Sequence, residues 1–188
     1  MNRTDAMFWE KLPYWAEKVL QGISFWMGYK TQLFYNYPLT EGAIVGEVIS
    51  LINGNLTDGF SLNCEVMYKK LNTQIDSQER ADLVIYFKDK LHTIIEVKRA
   101  KASNQKISDD LLRLARCHKV NPSVRCFLVI VSQKFRPSSY VNDTGKAVTK
   151  EINGDGFVAK VRRATKAAAS FEKKNTAFYS CIIEVKSK

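Results

Sequence analysis

The run Val124 to Ser132 (VRCFLVIVS) is almost unbroken in apolar character, and a strand of that kind needs cover on both faces. That demand restricts the chain to folds in which a sheet lies between two layers. Amphipathic segments elsewhere supply the layers. The 188 residues, 45% of them apolar, suffice for a single domain with a real core and exclude disorder as the default.

Residues 4 to 29 read as helical, with Thr4 as N-cap and Pro13 either kinking the segment or starting a second helix. Leu12, Trp15, Val19, Ile23 and Trp26 recur at helical spacing. Ten of the 21 aromatic residues lie in the first 37, a density that suits core or a subunit interface. Thr40 caps a second helix that ends at Asn53-Gly54, with Ile44, Val48, Leu51 and Ile52 as its stripe. Glu47 falls on that stripe, either buried and in need of a partner or at its edge and reaching water, and Gly46 beside it permits close approach of a backbone or ligand. Ser61 to Tyr68 alternates as a strand with Leu62, Cys64, Val66 and Tyr68 on one face.

Two further strands are expected over Ala81 to Phe87 and Leu91 to Lys98, then a helix capped by Ser108 with Leu111, Leu114 and Ala115 inward and Arg113, Arg116 and Lys119 outward. Residues 133 to 156 are loop-rich and end in the turn signal Asn-Gly-Asp-Gly. Phe157 to Lys174 reads as a helix with Val161, Ala164, Ala168 and Phe171 inward, and Phe178 to Lys186 as a closing strand. The expected fold is a single α/β domain with a central mixed sheet flanked by helices. It comprises an aromatic segment (1–38), a core of order αβββαβ (40–132) and a basic C-terminal helix and strand (133–188).

No run approaches the ~20 apolar residues of a spanning helix, and Arg3, Asp5 and Glu10 replace a signal-peptide core, so a cytoplasmic protein without membrane contact is expected. Cys64, Cys117, Cys126 and Cys181 lack C-x-x-C spacing and read as buried free thiols, with zinc ligation a weaker alternative. The net charge of +10 is unevenly placed, since residues 1–98 carry −2 and residues 99–188 carry +12. A basic half joined to one with clustered acids suits a polyanion such as nucleic acid, although excess lysine also serves solubility.

Asp82, Glu96 and Lys98 carry the chemistry. Glu96 and Lys98 share a strand face, and whether Asp82 joins them depends on the hairpin. A two-residue turn at Asp89-Lys90 sets Asp82 opposite Val97 and sends the carboxylates to opposite faces. A three-residue connection, or a bulge restoring the same parity, pairs residues 82 and 96. Adjacent carboxylates offer hard oxygens to Mg²⁺ or Mn²⁺, and a neighbouring ammonium holds an attacking water, a combination suited to phosphodiester hydrolysis.

With the helix glutamate, the hairpin bearing D-x13-E-x-K, and the following helix and buried strand, residues 40 to 132 resemble the PD-(D/E)XK nuclease superfamily. Ala81 stands where many members have proline. The resemblance implies a restriction-endonuclease-like core and a Mg²⁺-dependent nuclease, with Mn²⁺ able to substitute. It implies Asp82, Glu96 and the Val97 carbonyl as metal ligands, Lys98 as the catalytic lysine, and Glu47 as the residue holding a second metal or its water. DNA is the expected partner and endonucleolytic cleavage the expected activity. Lys101, Lys106, Lys160, Arg162, Arg163 and Lys166 are candidate phosphate contacts. Cutting both strands favours a homodimer, with the aromatic N-terminus as candidate interface. The triplet recurs at Glu184-Val185-Lys186 without an upstream acid and reads there as part of an ordinary edge or closing strand. The alternative is a catalytically inactive module of the same fold that binds nucleic acid or serves assembly.

Overall fold

The computed structural model describes residues 9–33, 39–72, 74, 75, 78–167 and 177–188. In chain order the elements are α1 (Tyr14–Leu33), α2 (Glu41–Asn53), β1 (Phe60–Met67), α3 (Tyr68–Leu71), β2 (Arg80–Phe87), β3 (Lys90–Arg99), α4 (Asn104–Val120), β4 (Arg125–Gln133), β5 (Ile152–Gly154), β6 (Phe157–Ala167) and β7 (Phe178–Ser187). The seven strands form one mixed sheet in the order β1-β2-β3-β4-β7-β6-β5. Among the described residues only β3 and β4 run parallel, joined through α4, and each of the other neighbouring pairs is antiparallel.

β4 occupies the centre, as its composition requires, with Cys126 to Ser132 all buried. Its side chains alternate between two cores. Phe127, Val129 and Val131 join Trp15, Val19 and Ile23 of α1 and Ile44, Val48 and Ile52 of α2. Cys126, Leu128 and Ile130 join Leu111, Leu114 and Ala115 of α4. Each fully buried Leu, Ile or Val contributes ~1.5–3 kcal/mol, so the two apolar layers hold the sheet from both sides.

Pro13 starts α1 by accepting from the Ala16 amide, and the proposed Thr4 cap lies outside the described residues. Thr40 caps α2 by accepting from the Ala43 amide. α4 begins earlier than expected, because Ser103 and not Ser108 accepts from an amide of the first turn, that of Lys106. Tyr68 leaves β1 to open the short α3. Cys64, on the edge strand β1, is exposed, unlike the other three cysteines.

The expected helix at 157–174 is instead the strand β6 as far as Ala167, and the remainder lies outside the described residues. Ile152↔Ala159 and Gly154↔Phe157 close a two-residue turn at Asp155-Gly156, with Gly156 at φ 77°. Phe157, Ala159 and Val161 then enter the α4-side core at period two, and β6 pairs along nearly its whole length with β7. This pairing overrides the helix propensity of the Ala, Lys and Arg residues that follow. Consequently β7 is an interior strand between β4 and β6, and not an edge.

Candidate active site

The hairpin reaches the required parity by the less obvious route. Its turn has two residues, Lys88 and Asp89, at φ 48° and 63°, and pairs Phe87 with Lys90 and Tyr86 with Leu91. Continued unchanged, that register would place Asp82 and Glu96 on opposite faces. A bulge at His92 intervenes, so the next pairs are Ile85↔Thr93, Val84↔Ile94 and Leu83↔Ile95. Asp82 thus comes opposite Glu96, and its Oδ2 accepts from the Val97 amide at 2.8 Å.

Glu96 is buried, with 2% of its surface exposed. The Tyr68 hydroxyl donates to its Oε1, and Arg113 Nη1 lies 3.6 Å from the same oxygen. Burial first, and then the Asp82 carboxylate, push its pKa up to about 9, against the donation from Tyr68. In the absence of a cation, burial and the neighbouring carboxylate therefore favour the protonated form of Glu96, the direction expected when two carboxyl groups share a desolvated site. Tyr68, itself buried and beside Glu96, is held well above the ordinary tyrosine range.

Lys98 Nζ lies 3.3 Å from Glu41 Oε1 and 3.7 Å from Asp110 Oδ2. Burial disfavours its charge, but Asp110, Glu41, Asp82 and Glu96 outweigh burial and raise its pKa. The ammonium is thus secured in its charged form. Glu41, Lys98, Arg99, Lys101, Ala102, Ser103 and Lys106 line an open cleft of about 430 Å³ beside it.

The structure gathers Asp82, Glu96, Lys98, Lys101 and Lys106 in one region. Glu47 goes elsewhere: half-buried on α2, it lines an apolar groove with Phe25, Trp26 and Tyr29 of α1, and Glu41, one turn and a half earlier, is the α2 acid that meets Lys98. Gly46 is exposed, with nothing near the position a Cβ would take. Val97 meets Asp82 through its amide.

Arg113 points inward, contrary to its expected outer position, and pairs with Glu79 and Asp110 as well as Glu96. The site therefore contains Tyr68, Glu41, Asp110 and Arg113, which the sequence reading did not select. Tyr68 alone had a period-two signal. Among the described residues no group of three His, Cys, Asp or Glu side chains converges closely enough to hold a metal ion as it stands.

The β6 basic residues are not brought to this cleft. Arg162 donates to Glu184 and to the Glu10 carbonyl, Arg163 pairs with Glu17, and Lys166 lines the apolar groove. The register shift between Val161 and Arg163 keeps Lys160, opposite Glu184, together with Arg162 and Arg163 on the α1 face of the sheet, where Glu184 and Glu17 engage the two arginines away from the cleft. The second E-x-K is structural. Glu184 is buried on the α1 side, where Arg125 donates to it through Nε at 3.0 Å and Nη2 at 2.8 Å. Arg125 also donates to the Lys11 carbonyl at 2.8 Å, so this ionic cluster ties the segment before α1 to the sheet.

No helix among the described residues is long and apolar enough to cross a membrane. The chain matches no protein-family model, no curated protein and no solved structure.

Proposed function

We propose that this chain is a metal-dependent nuclease of the PD-(D/E)XK kind, hydrolysing phosphodiester bonds of DNA on a restriction-endonuclease-like core. The observation that carries the reading is the bulge at His92, which brings Asp82 beside Glu96 and leaves Lys98 at the end of the same strand. The order α2-β1-β2-β3-α4-β4, the small α3 insertion aside, agrees with such a core.

The donor set fits a hard divalent cation. Two neighbouring carboxyl groups, Asp82 and Glu96, share a part-buried site in which desolvation and mutual repulsion disfavour their joint ionisation, a penalty that a bound cation removes. Bound there, Mg²⁺ or Mn²⁺ would supply an electrophile for the phosphoryl oxygens and a more acidic water. Asp82 and Glu96 would hold it. Lys98 adds fixed positive charge where the phosphoryl group becomes more negative. Lys101 and Lys106 attract the backbone into the cleft without reading sequence. With Glu47 in the groove, the helix acid expected to hold a second metal is not at the cleft, and the α2 acid that is there, Glu41, meets Lys98 instead.

One observation favours the inactive module: Arg113 pairs with Asp110 and lies 3.6 Å from Glu96, so an ionised Glu96 would have a compensating charge without a metal. Plasmid digestion with Mg²⁺ and with Mn²⁺ separates the readings. Wild type should cleave and Lys98→Ala should cleave far more slowly. Equal activity in both proteins would remove the assignment.

A further inference from the structure

Asp110 has no role in the chemistry above, yet it faces it. Its side chain is 5% exposed, and Oδ1 accepts from Arg113 Nη1 at 2.8 Å. Oδ2 is buried and has no hydrogen-bond partner among the described residues. An unsatisfied buried oxygen of this kind costs ~1–3 kcal/mol or more, and a charged neighbour is the available compensation. That neighbour is the Lys98 ammonium at 3.7 Å, within ion-pair reach but beyond a hydrogen bond. On the other side of the ammonium lies Glu41 Oε1 at 3.3 Å, from a side chain 44% exposed. The two acids come from α2 and α4, which pack on opposite faces of the sheet.

We infer that Asp110 is a positioning residue that fixes the Lys98 ammonium at the cleft, while Glu41 is an exposed placeholder that an entering phosphate displaces. A lysine has four rotatable side-chain bonds and makes no fixed fork, so it needs external constraint to act from one place. Asp110 supplies that constraint from a position solvent and substrate do not reach. Glu41 lines the cleft itself and competes with phosphate for the same ammonium. The inference takes its chemistry from the nuclease reading, but the Asp110–Lys98 coupling stands on geometry alone.

The test is a double-mutant cycle on Mg²⁺-dependent cleavage of a labelled duplex, using Asp110→Asn, Lys98→Met and the double variant, with Mn²⁺ affinity measured by calorimetry on each. Asp110→Asn is nearly isosteric and retains an acceptor for Arg113. It should lower kcat by ~10- to 100-fold with KM and Mn²⁺ affinity changed less than ~2-fold, and the double variant should be no slower than Lys98→Met. Glu41→Gln should bind duplex in Ca²⁺ at least as tightly as wild type. Additive losses in the cycle, or weakened Mn²⁺ binding by Asp110→Asn, overturn the positioning role, and weaker duplex binding by Glu41→Gln overturns the placeholder role. If wild type cleaves nothing, the nuclease reading fails, and the cycle is then read on thermal unfolding. Non-additive shifts in Tm sustain the Asp110–Lys98 coupling, and additive shifts overturn it.

Discussion

Replacing Glu96 by glutamine should make the protein more stable at alkaline pH. The native carboxyl group has its pKa pushed up to about 9 by burial and by Asp82, whereas in the unfolded chain it titrates near its ordinary value of 4.5. Between those two values the native state holds one proton more than the unfolded state. A group raised in this way contributes stability that is full below pH 4.5 and is lost as pH rises towards 9. A one-proton difference lowers stability by ~1.4 kcal/mol per pH unit, or ~2.7 kcal/mol between pH 6 and pH 8. Glutamine does not titrate, can accept from Tyr68 and can donate towards Asp82. Every other group titrates nearly alike in the two proteins, so the difference between their melting curves isolates Glu96. For a chain of this length the gap in Tm should widen in favour of Glu96→Gln by ~5–10 °C from pH 6 to pH 8, in chelator. Added Mg²⁺ should close the gap by stabilising wild type alone, since a cation at Asp82 and Glu96 favours the ionised pair. A constant gap across this range would show that Glu96 is already ionised and that Arg113 compensates it, and the account of a proton held in reserve for a metal would fail.

Other expectations follow from neighbouring contacts. Tyr68→Phe removes the hydroxyl that donates to Glu96 and should cost ~1–3 kcal/mol in urea unfolding, because the carboxyl oxygen it leaves is buried. Neutralising Lys101 and Lys106 together should weaken DNA affinity and reduce the salt slope by about 2, whereas neutralising Arg163, paired with Glu17, should leave the slope unchanged. Binding titrations at several salt concentrations would distinguish the two surfaces. Glu184→Ala strands Arg125 and Arg162 beside an apolar core and should destabilise by ~3–5 kcal/mol, a larger loss than for any exposed ion pair. A urea midpoint close to wild type would mean that the N-terminal tie contributes little.

The parts of this architecture legible in sequence are those whose signal is local. Thr40, the α2 stripe and the unbroken apolar run of β4 each state their environment within about a dozen residues. β6 was not legible, because Phe157, Ala159 and Val161 give only two and a half turns of strand alternation before a stretch rich in helix formers. What holds that stretch extended is β7, on the far side of residues 168 to 176. Asp110 and Arg113 were missed for a related reason. An amphipathic reading sends every charge outward, and their inward position is paid for by Lys98, Glu79 and Glu96 on other elements.

The hairpin shows how the parity that the proposed site needs is met where local pattern leaves it open. Nothing in Leu91-His92-Thr93 marks a bulge, and the Lys88-Asp89 turn by itself predicts the wrong face for Asp82. Yet a carboxylate pair beside a lysine makes sense only at one parity, so a two-residue turn could be accommodated only with one extra residue on one strand. The bulge at His92 is that residue, and it falls before Glu96, where shifting the register still moves the acid. Placed after Lys98, the same bulge would have left Asp82 and Glu96 on opposite faces. Its position, more than its existence, therefore ties the strand irregularity to the site.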